Sequence, residues 1–189
     1  MKGTAAMRHI ISVLVENKFG ALARIAGLFS GRGYNIESLT VGPTQDQTMS
    51  KMTIVTSGDN AVLEQIEKQL NKLVEVLSVK DLTGGGFVAR ELMLLKVKAN
   101  CGNRSEITSV ASVFKANVVN ITLESMVLEV TGPSAKLDAF IQLMHPFGII
   151  ELARTGMVAL ARSNEPTEKL EPPVVPPKLD LQAPDGIQL

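Results

Sequence analysis

Asn17, Gly20 and Asn35 flank an apolar, periodic stretch in the first fifth of the chain, and their types suit the capture of a small zwitterion. A chain that passes from strand to helix at Asn17–Gly20 leaves backbone N–H groups of the first helical turn without intrahelical partners, and these suit a carboxylate. Asparagine carbonyls can accept from an ammonium without adding net charge. The order of elements predicts that Asn17 and Asn35 stand at neighbouring strand ends. Gly20 has no Cβ, so a ligand can approach the main chain there. A plainer arrangement also satisfies the spacing: Asn17 and Gly20 form a turn, and Asn35 opens a strand after a glycine cap. On spacing alone this second reading asks for less.

Catalytic groups are scarce. A reaction centre needs titratable side chains that converge, yet His9 stands at the start of an apolar run and His145 lies beside Pro146 far along the chain. Both read as structural or surface histidines. No H-E-x-x-H, G-x-S-x-G or Walker pattern occurs, and Cys101, with no histidine nearby, reads as a small buried apolar residue. Glu64 and Glu67 near Lys68 and Lys72 read as a solvated helix face with ordinary ion pairs. Gly84, Gly85 and Gly86 lack the following Lys-Ser/Thr of a phosphate loop and read as a linker. The residues therefore give an enzyme reading no foothold, and one cysteine cannot supply a multi-thiolate metal site.

The totals narrow the partners. With 19 Lys and Arg against 19 Asp and Glu, no overall positive field draws phosphate backbones or anionic lipid. Nucleic acid is not an expected partner, and neither is a membrane, because no long apolar run or leader pattern occurs. One cysteine forms no internal disulfide, which fits a cytoplasmic address. The N-x-S/T matches at Asn103 and Asn120 are then chance. Residues 1–6 precede a second methionine, Met7, and are excluded from the reading.

The elements that must position these residues follow from periodicity. Arg8–Glu16 is short, β-branched and apolar throughout, as expected of a strand covered on both faces. Leu22, Ile25, Ala26 and Phe29 recur at helical spacing until Gly31 and Gly33. Two strands, 35–41 and 51–56, form a hairpin with a mobile polar tip. Asp59 caps a helix carrying Leu63, Ile66, Leu70 and Leu73, and 76–82 is a fourth strand. The order βαββαβ predicts a ferredoxin-like sandwich with both helices on one face. Because strand one is apolar on both faces, the free face or edge is expected to be covered by another chain.

The same grammar returns after the glycines. Met93, Leu95, Val97 and Ala99 alternate with Lys96 and Lys98; Asn103 and Glu106 have capping-box spacing ahead of Ile107, Val110, Ala111 and Phe114. Strands at 118–122 and 126–131, a helix with Pro133 in its first turn, and a closing strand at 157–160 complete a second βαββαβ unit. The predicted class is α+β, with two ferredoxin-like sandwiches in tandem: 8–82, a linker at 83–89, 90–162, and a proline-rich tail at 163–189 read as disordered. This sandwich also serves RNA-binding domains, but the central-strand run Ser50–Val55 carries no stacking aromatic.

Two long runs carry a resemblance. Ile11-Ser12-Val13-Leu14-Val15-Glu16-Asn17-Lys18-Phe19-Gly20-Ala21-Leu22-Ala23-Arg24, and Leu28-Phe29-Ser30-Gly31-Arg32-Gly33-Tyr34-Asn35-Ile36-Glu37-Ser38-Leu39-Thr40-Val41, resemble the ACT domain of acetolactate synthase small subunits. Met52-Thr53-Ile54 and Leu63–Leu70 continue the match, which extends over 8–162 and weakens in the second half. The resemblance implies a non-catalytic regulatory subunit whose N-terminal ACT domain, 8–82, pairs with its twin as a homodimer. It implies valine, or a related branched-chain amino acid, at the interface on Asn17, Gly20, Ala21, Leu22, Asn35 and Ile36. It further implies a large catalytic subunit that carries thiamine diphosphate, magnesium and FAD, none of which binds this chain. The alternative, from another functional class, is an ACT-type amino-acid sensor that docks to a different enzyme or regulator.

Overall fold

The computed structural model describes residues 7–162. Residues 1–6 and the proline-rich segment 163–189 lie outside the described residues, and so does the expectation of disorder placed on the latter.

Strand β1 (Met7–Glu16) is the spine of the first unit. Its odd-numbered side chains Ile11, Val13 and Val15 join Met52, Ile54, Ile66, Leu70 and Phe29 in a core beneath two helices, α1 (Ala21–Gly31) and α2 (Asn60–Leu70). Strands β2 (Ile36–Pro43), β3 (Met49–Gly58) and β4 (Val76–Asp81) complete an antiparallel sheet in the order β2-β3-β1-β4. This is the expected ferredoxin-like sandwich. Local chemistry sets the ends. Asp59 accepts from the Val62 N–H at 2.8 Å and so caps α2, and Gly33, at φ +70°, lets the Tyr34 N–H return to the Phe29 carbonyl at 3.0 Å to stop α1.

The second unit begins earlier than its apolar alternation suggested. Strand β5 runs Phe87–Lys98, so it starts inside the 83–89 segment read as a linker. The glycines at 84–86 make a turn into it. Helix α3 (Arg104–Val113), strands β6 (Asn117–Ile121) and β7 (Ser125–Gly132), helix α4 (Ser134–Met144) and strand β8 (Ile149–Arg154) follow. The sheet order is β6-β7-β5-β8, over a core of Met93, Leu95, Val97, Ile107, Leu128, Leu137 and Phe140.

Three expectations are corrected here. The strand that closes this sheet is β8 and not 157–160: Met93–Val97 already pair with Arg154–Ile149, which fills that edge. The capping box does not form. The Asn103 side-chain oxygen instead accepts from the Asn100 N–H at 2.8 Å and makes no cap bond to α3. Pro133 is the residue before α4 and holds extended backbone there, rather than opening the first turn.

A last strand, β9 (Val158–Ala161), pairs with Phe87–Arg90 at the front of β5. This ribbon lies on the open face of the first sheet, where Met157 and Ala159 are buried with Ile10, Val55 and Leu82. The even-numbered side of β1 is therefore partly covered by the chain's own second unit. Another chain had been the expectation. The physical reason is supply: an apolar strap already lies where the cover is needed.

Candidate functional site

The loop Asn17–Gly20 delivers the chain from β1 into α1 at one end of the sheet. Gly20 is the residue before α1 and holds φ +85°, a left-handed conformation that a Cβ disfavours, with open space where that Cβ would be. Helix α1 has no side-chain cap and no acidic residue in its first turn. The Ala21 N–H reaches the Lys18 carbonyl at 3.3 Å, whereas the amides of Leu22 and Ala23 have no partner among the described residues. Two N–H groups thus stand free at the positive end of a helix, which is the donor set a carboxylate needs.

Asn17 is oriented by a neighbour that sequence reasoning missed. Its Nδ2 donates to the Gln47 carbonyl at 2.9 Å and its backbone N–H to the Thr48 carbonyl at 2.7 Å. The β2–β3 tip that supplies these acceptors is internally tied rather than loose: Asp46 Oδ1 accepts from the Thr48 N–H at 2.8 Å and from the Thr48 hydroxyl at 2.7 Å. Those bonds hold the Asp46 carboxyl below the usual carboxylate range. With Nδ2 engaged, Asn17 Oδ1 is left without a partner among the described residues. Beside it Phe19 is fully exposed and Leu22 is 45% exposed, while Ala21 is buried.

Asn35 and Ile36 are elsewhere. Ile36 pairs with Thr56, and Thr56 with His9, so the start of β2 lies at the end of the sheet where β1 begins. Asn17 follows Glu16, which pairs with Met49 at the opposite end. The two positions are separated by roughly 20 Å, at about 3.3 Å per residue from His9 to Glu16. The expectation of neighbouring strand ends is therefore corrected: one chain carries two half-sites, because α1 runs the length of the sheet between them. At the second half-site the Asn35 carbonyl accepts from Thr56 Oγ1 at 2.6 Å, and Ile36 is half-buried against the core.

The other candidate groups have settled roles. His9 is buried with Nε2 3.2 Å from the Gly58 carbonyl oxygen, and His145 is exposed in a short 3₁₀ turn. Cys101 is exposed, contrary to the buried position expected of it. Glu64 and Lys68 form an exposed i,i+4 pair at 3.2 Å. Burial, then Asp81, then Glu64 raise the Glu67 carboxyl. Among the described residues no cluster of His, Cys, Asp and Glu could hold a metal ion, and no helix is long and apolar enough to cross a membrane.

A polar cleft of about 490 Å³ opens between the two units, lined by Arg8, Glu37, Glu91, Asp138 and Arg154 among others. Arg154 bridges Glu91 at 2.5 Å and Asp138 at 2.7 Å, and Arg8 pairs with Glu37 at 3.2 Å. Its charged groups pair with one another, and within its lining the buried Ser134 Oγ is left without a partner among the described residues.

Comparison with known proteins resolves the family. Residues 11–78 match the family described as AHAS small subunit-like ACT domain, and residues 90–163 match that described as small subunit of acetolactate synthase. The acetolactate synthase isozyme 3 small subunit of Escherichia coli is 50% identical over 160 residues, covering 84% of this chain and 98% of that protein. This chain belongs to the acetolactate synthase small-subunit family. A family member from Mycobacterium bovis is 49% identical over 154 residues, covering 82% of this chain and 92% of its own. The crystal structure of the acetolactate synthase small subunit from Thermotoga maritima superposes with a TM-score of 0.78 at 38% identity, covering 84% of this chain and 99% of that one. The tandem ferredoxin-like fold is thus the family's, and the ACT-domain resemblance is borne out.

Proposed function

We propose that this small subunit is a non-catalytic regulator that binds valine between two paired ACT domains and thereby controls a separate catalytic subunit. The observation that carries the reading is the placement of two incomplete half-sites at opposite ends of the first sheet, at Asn17 and at Asn35–Ile36. Strand β2 is an edge strand, with α1 as the crossover helix on its side of the sheet. A two-fold axis beside β2 would set the two β2 strands antiparallel and bring α1's free N–H groups and Asn17 of one copy to Asn35 and Ile36 of the other. Such a pairing would also bury Phe19 and Leu22, whose exposure is otherwise unfavourable.

In this arrangement the effector carboxylate lies on the Leu22 and Ala23 amides, and its ammonium on Asn17 Oδ1 and the Asn35 side chain. Gly20 and Ala21 keep the approach open, and Leu22 with Ile36 receives the branched side chain. Valine, leucine and isoleucine differ there by about 1–3 kcal/mol of pocket fit. Condensation of the 2-oxo acids belongs to the large subunit, where thiamine diphosphate, magnesium and FAD reside, in the cytoplasm. The small subunit stimulates that enzyme and confers feedback inhibition. Linkage supplies the test: if valine shifts the holoenzyme between states, the catalytic subunit must change valine affinity by the same factor. Calorimetric titration with and without that subunit should give different affinities; equal affinities would remove equilibrium coupling from the proposal.

A further inference from the structure

The segment Thr155–Ala161 crosses the open face of the first sheet as a strap, and one residue of it is gripped on both sides. The Met157 N–H donates to Ser38 Oγ at 3.1 Å, and Thr40 Oγ1 donates to the Met157 carbonyl at 2.8 Å. Both backbone groups of Met157 are thus answered by side chains of β2. The Ala159 N–H turns to Thr53 Oγ1 at 3.3 Å. Gly156 sets the closeness of approach. It holds φ +84°, and a Cβ there would stand 2.5 Å from Ser38 Oγ and 3.2 Å from Thr40 Cγ2. Glycine permits both the turn and the contact.

At its other side the strap is continuous with the second unit. The Thr155 N–H donates to the Leu92 carbonyl at 3.0 Å, the Leu92 N–H to Thr155 Oγ1 at 3.1 Å, and β9 then pairs along the front of β5. Strand β5 goes on to be the central strand over the second core. Movement of the strap is therefore movement of the second unit's spine.

On the β2 side the grip begins two residues beyond Ile36. Between Ile36 and Ser38 the pairing with β3 slips, leaving Glu37 as a bulge whose carboxylate is held by Arg8 and by the Ser57 hydroxyl. A bulge is where a strand bends and changes twist. From Asn35 the order is thus half-site, bulge, strap contact, second unit.

We infer that the Gly156–Met157 strap, gripped by Ser38 and Thr40, is the device through which the second domain reads occupancy of the amino-acid site at Asn35–Ile36. The inference rests on the valine reading given above. A ligand that fixes Asn35 and Ile36 sets the bend at Glu37, which sets the two hydroxyls on which Met157 hangs. Coupling of this kind amounts to about five- to a hundredfold in an equilibrium constant.

Amide hydrogen exchange on the full chain tests it, with valine binding followed in parallel by calorimetry. In the native chain, saturating valine should change exchange at the Met157 and Ala159 amides about fivefold or more. In Ser38→Ala/Thr40→Val, valine should still bind while that change is lost. Thr40→Ser, which keeps the hydroxyl, should restore native behaviour. Gly156→Ala, which changes no residue of β2 but forces the strap away from Ser38, should uncouple the strap in the same way. Valine that binds the native chain but leaves the strap amides unaltered would overturn the inference and spare the functional reading. So would a strap response that persists undiminished in the double variant. Absence of any valine binding to the native chain would overturn both.

Discussion

Asn17 Nδ2 donates a 2.9 Å hydrogen bond to the Gln47 carbonyl, so the loop before α1 and the β2–β3 tip form one structure. The bond fixes which face of the amide remains available. Asn17→Ala removes the acceptor for a ligand ammonium, and a hydrogen bond to a charged group contributes about 1.5–3 kcal/mol. Valine affinity should fall about ten- to a hundredfold by calorimetry, with subunit association unchanged. Native affinity in the variant would take Asn17 out of the site.

Gly20 tests the backbone rather than the side chain. At φ +85° an alanine there costs about 1–2 kcal/mol. Gly20→Ala should lower thermal stability by that amount and weaken valine binding as well, because the N-terminal turn of α1 shifts. A variant with native melting and native affinity would contradict the geometry described for this turn.

Phe140 is fully buried against Phe114, with ring centroids 5.2 Å apart, in the core of the second unit. Truncation of a buried phenylalanine costs about 3–5 kcal/mol. Phe140→Ala should therefore lower the denaturant midpoint of the second unit, resolved by exchange protection along β5 and β7. A midpoint within error of the native chain would contradict the packing.

Asp46 gives the pH dependence of the hairpin tip. Its folded pKa is lowered by the Thr48 hydroxyl and amide, so the tip is favoured above the ordinary carboxylate pKa. That contribution is lost as pH falls through the lowered value. The Thr48 amide resonance should titrate with a midpoint below the usual carboxylate range, and Asp46→Asn should abolish the titration. A midpoint at the ordinary value would show that these bonds do not favour the ionised form.

Much of this architecture was legible because its elements obey single periods. The helical spacing of Leu63, Ile66 and Leu70 and the alternation of Met93, Leu95 and Val97 both reappear as buried faces. The closing strand was missed because β8 is a short edge strand whose residues 150–154 are all exposed, so Ile150 and Leu152 add nothing to the buried face that marks the other strands. Met157–Ala159 looked like that strand because it is apolar, but its apolarity serves contact with the other domain. The half-sites show the same limit. Residue types at Asn17, Gly20 and Asn35 pointed to zwitterion chemistry, and the helix between them carried the missing signal: eleven residues of α1 span about 16 Å. That length alone sets the two asparagines at opposite ends of one chain.

The shared seam is tested most directly by complementation between two variants, Asn17→Ala and Asn35→Ala. Each alone should bind valine weakly, since every seam lacks one asparagine. After unfolding and refolding together, half of the pairs are mixed, and each mixed pair rebuilds one seam with both asparagines. Calorimetry on the mixture should then show sites of native affinity at about a quarter of native capacity. A mixture that binds no better than either variant alone would contradict a site shared between two copies.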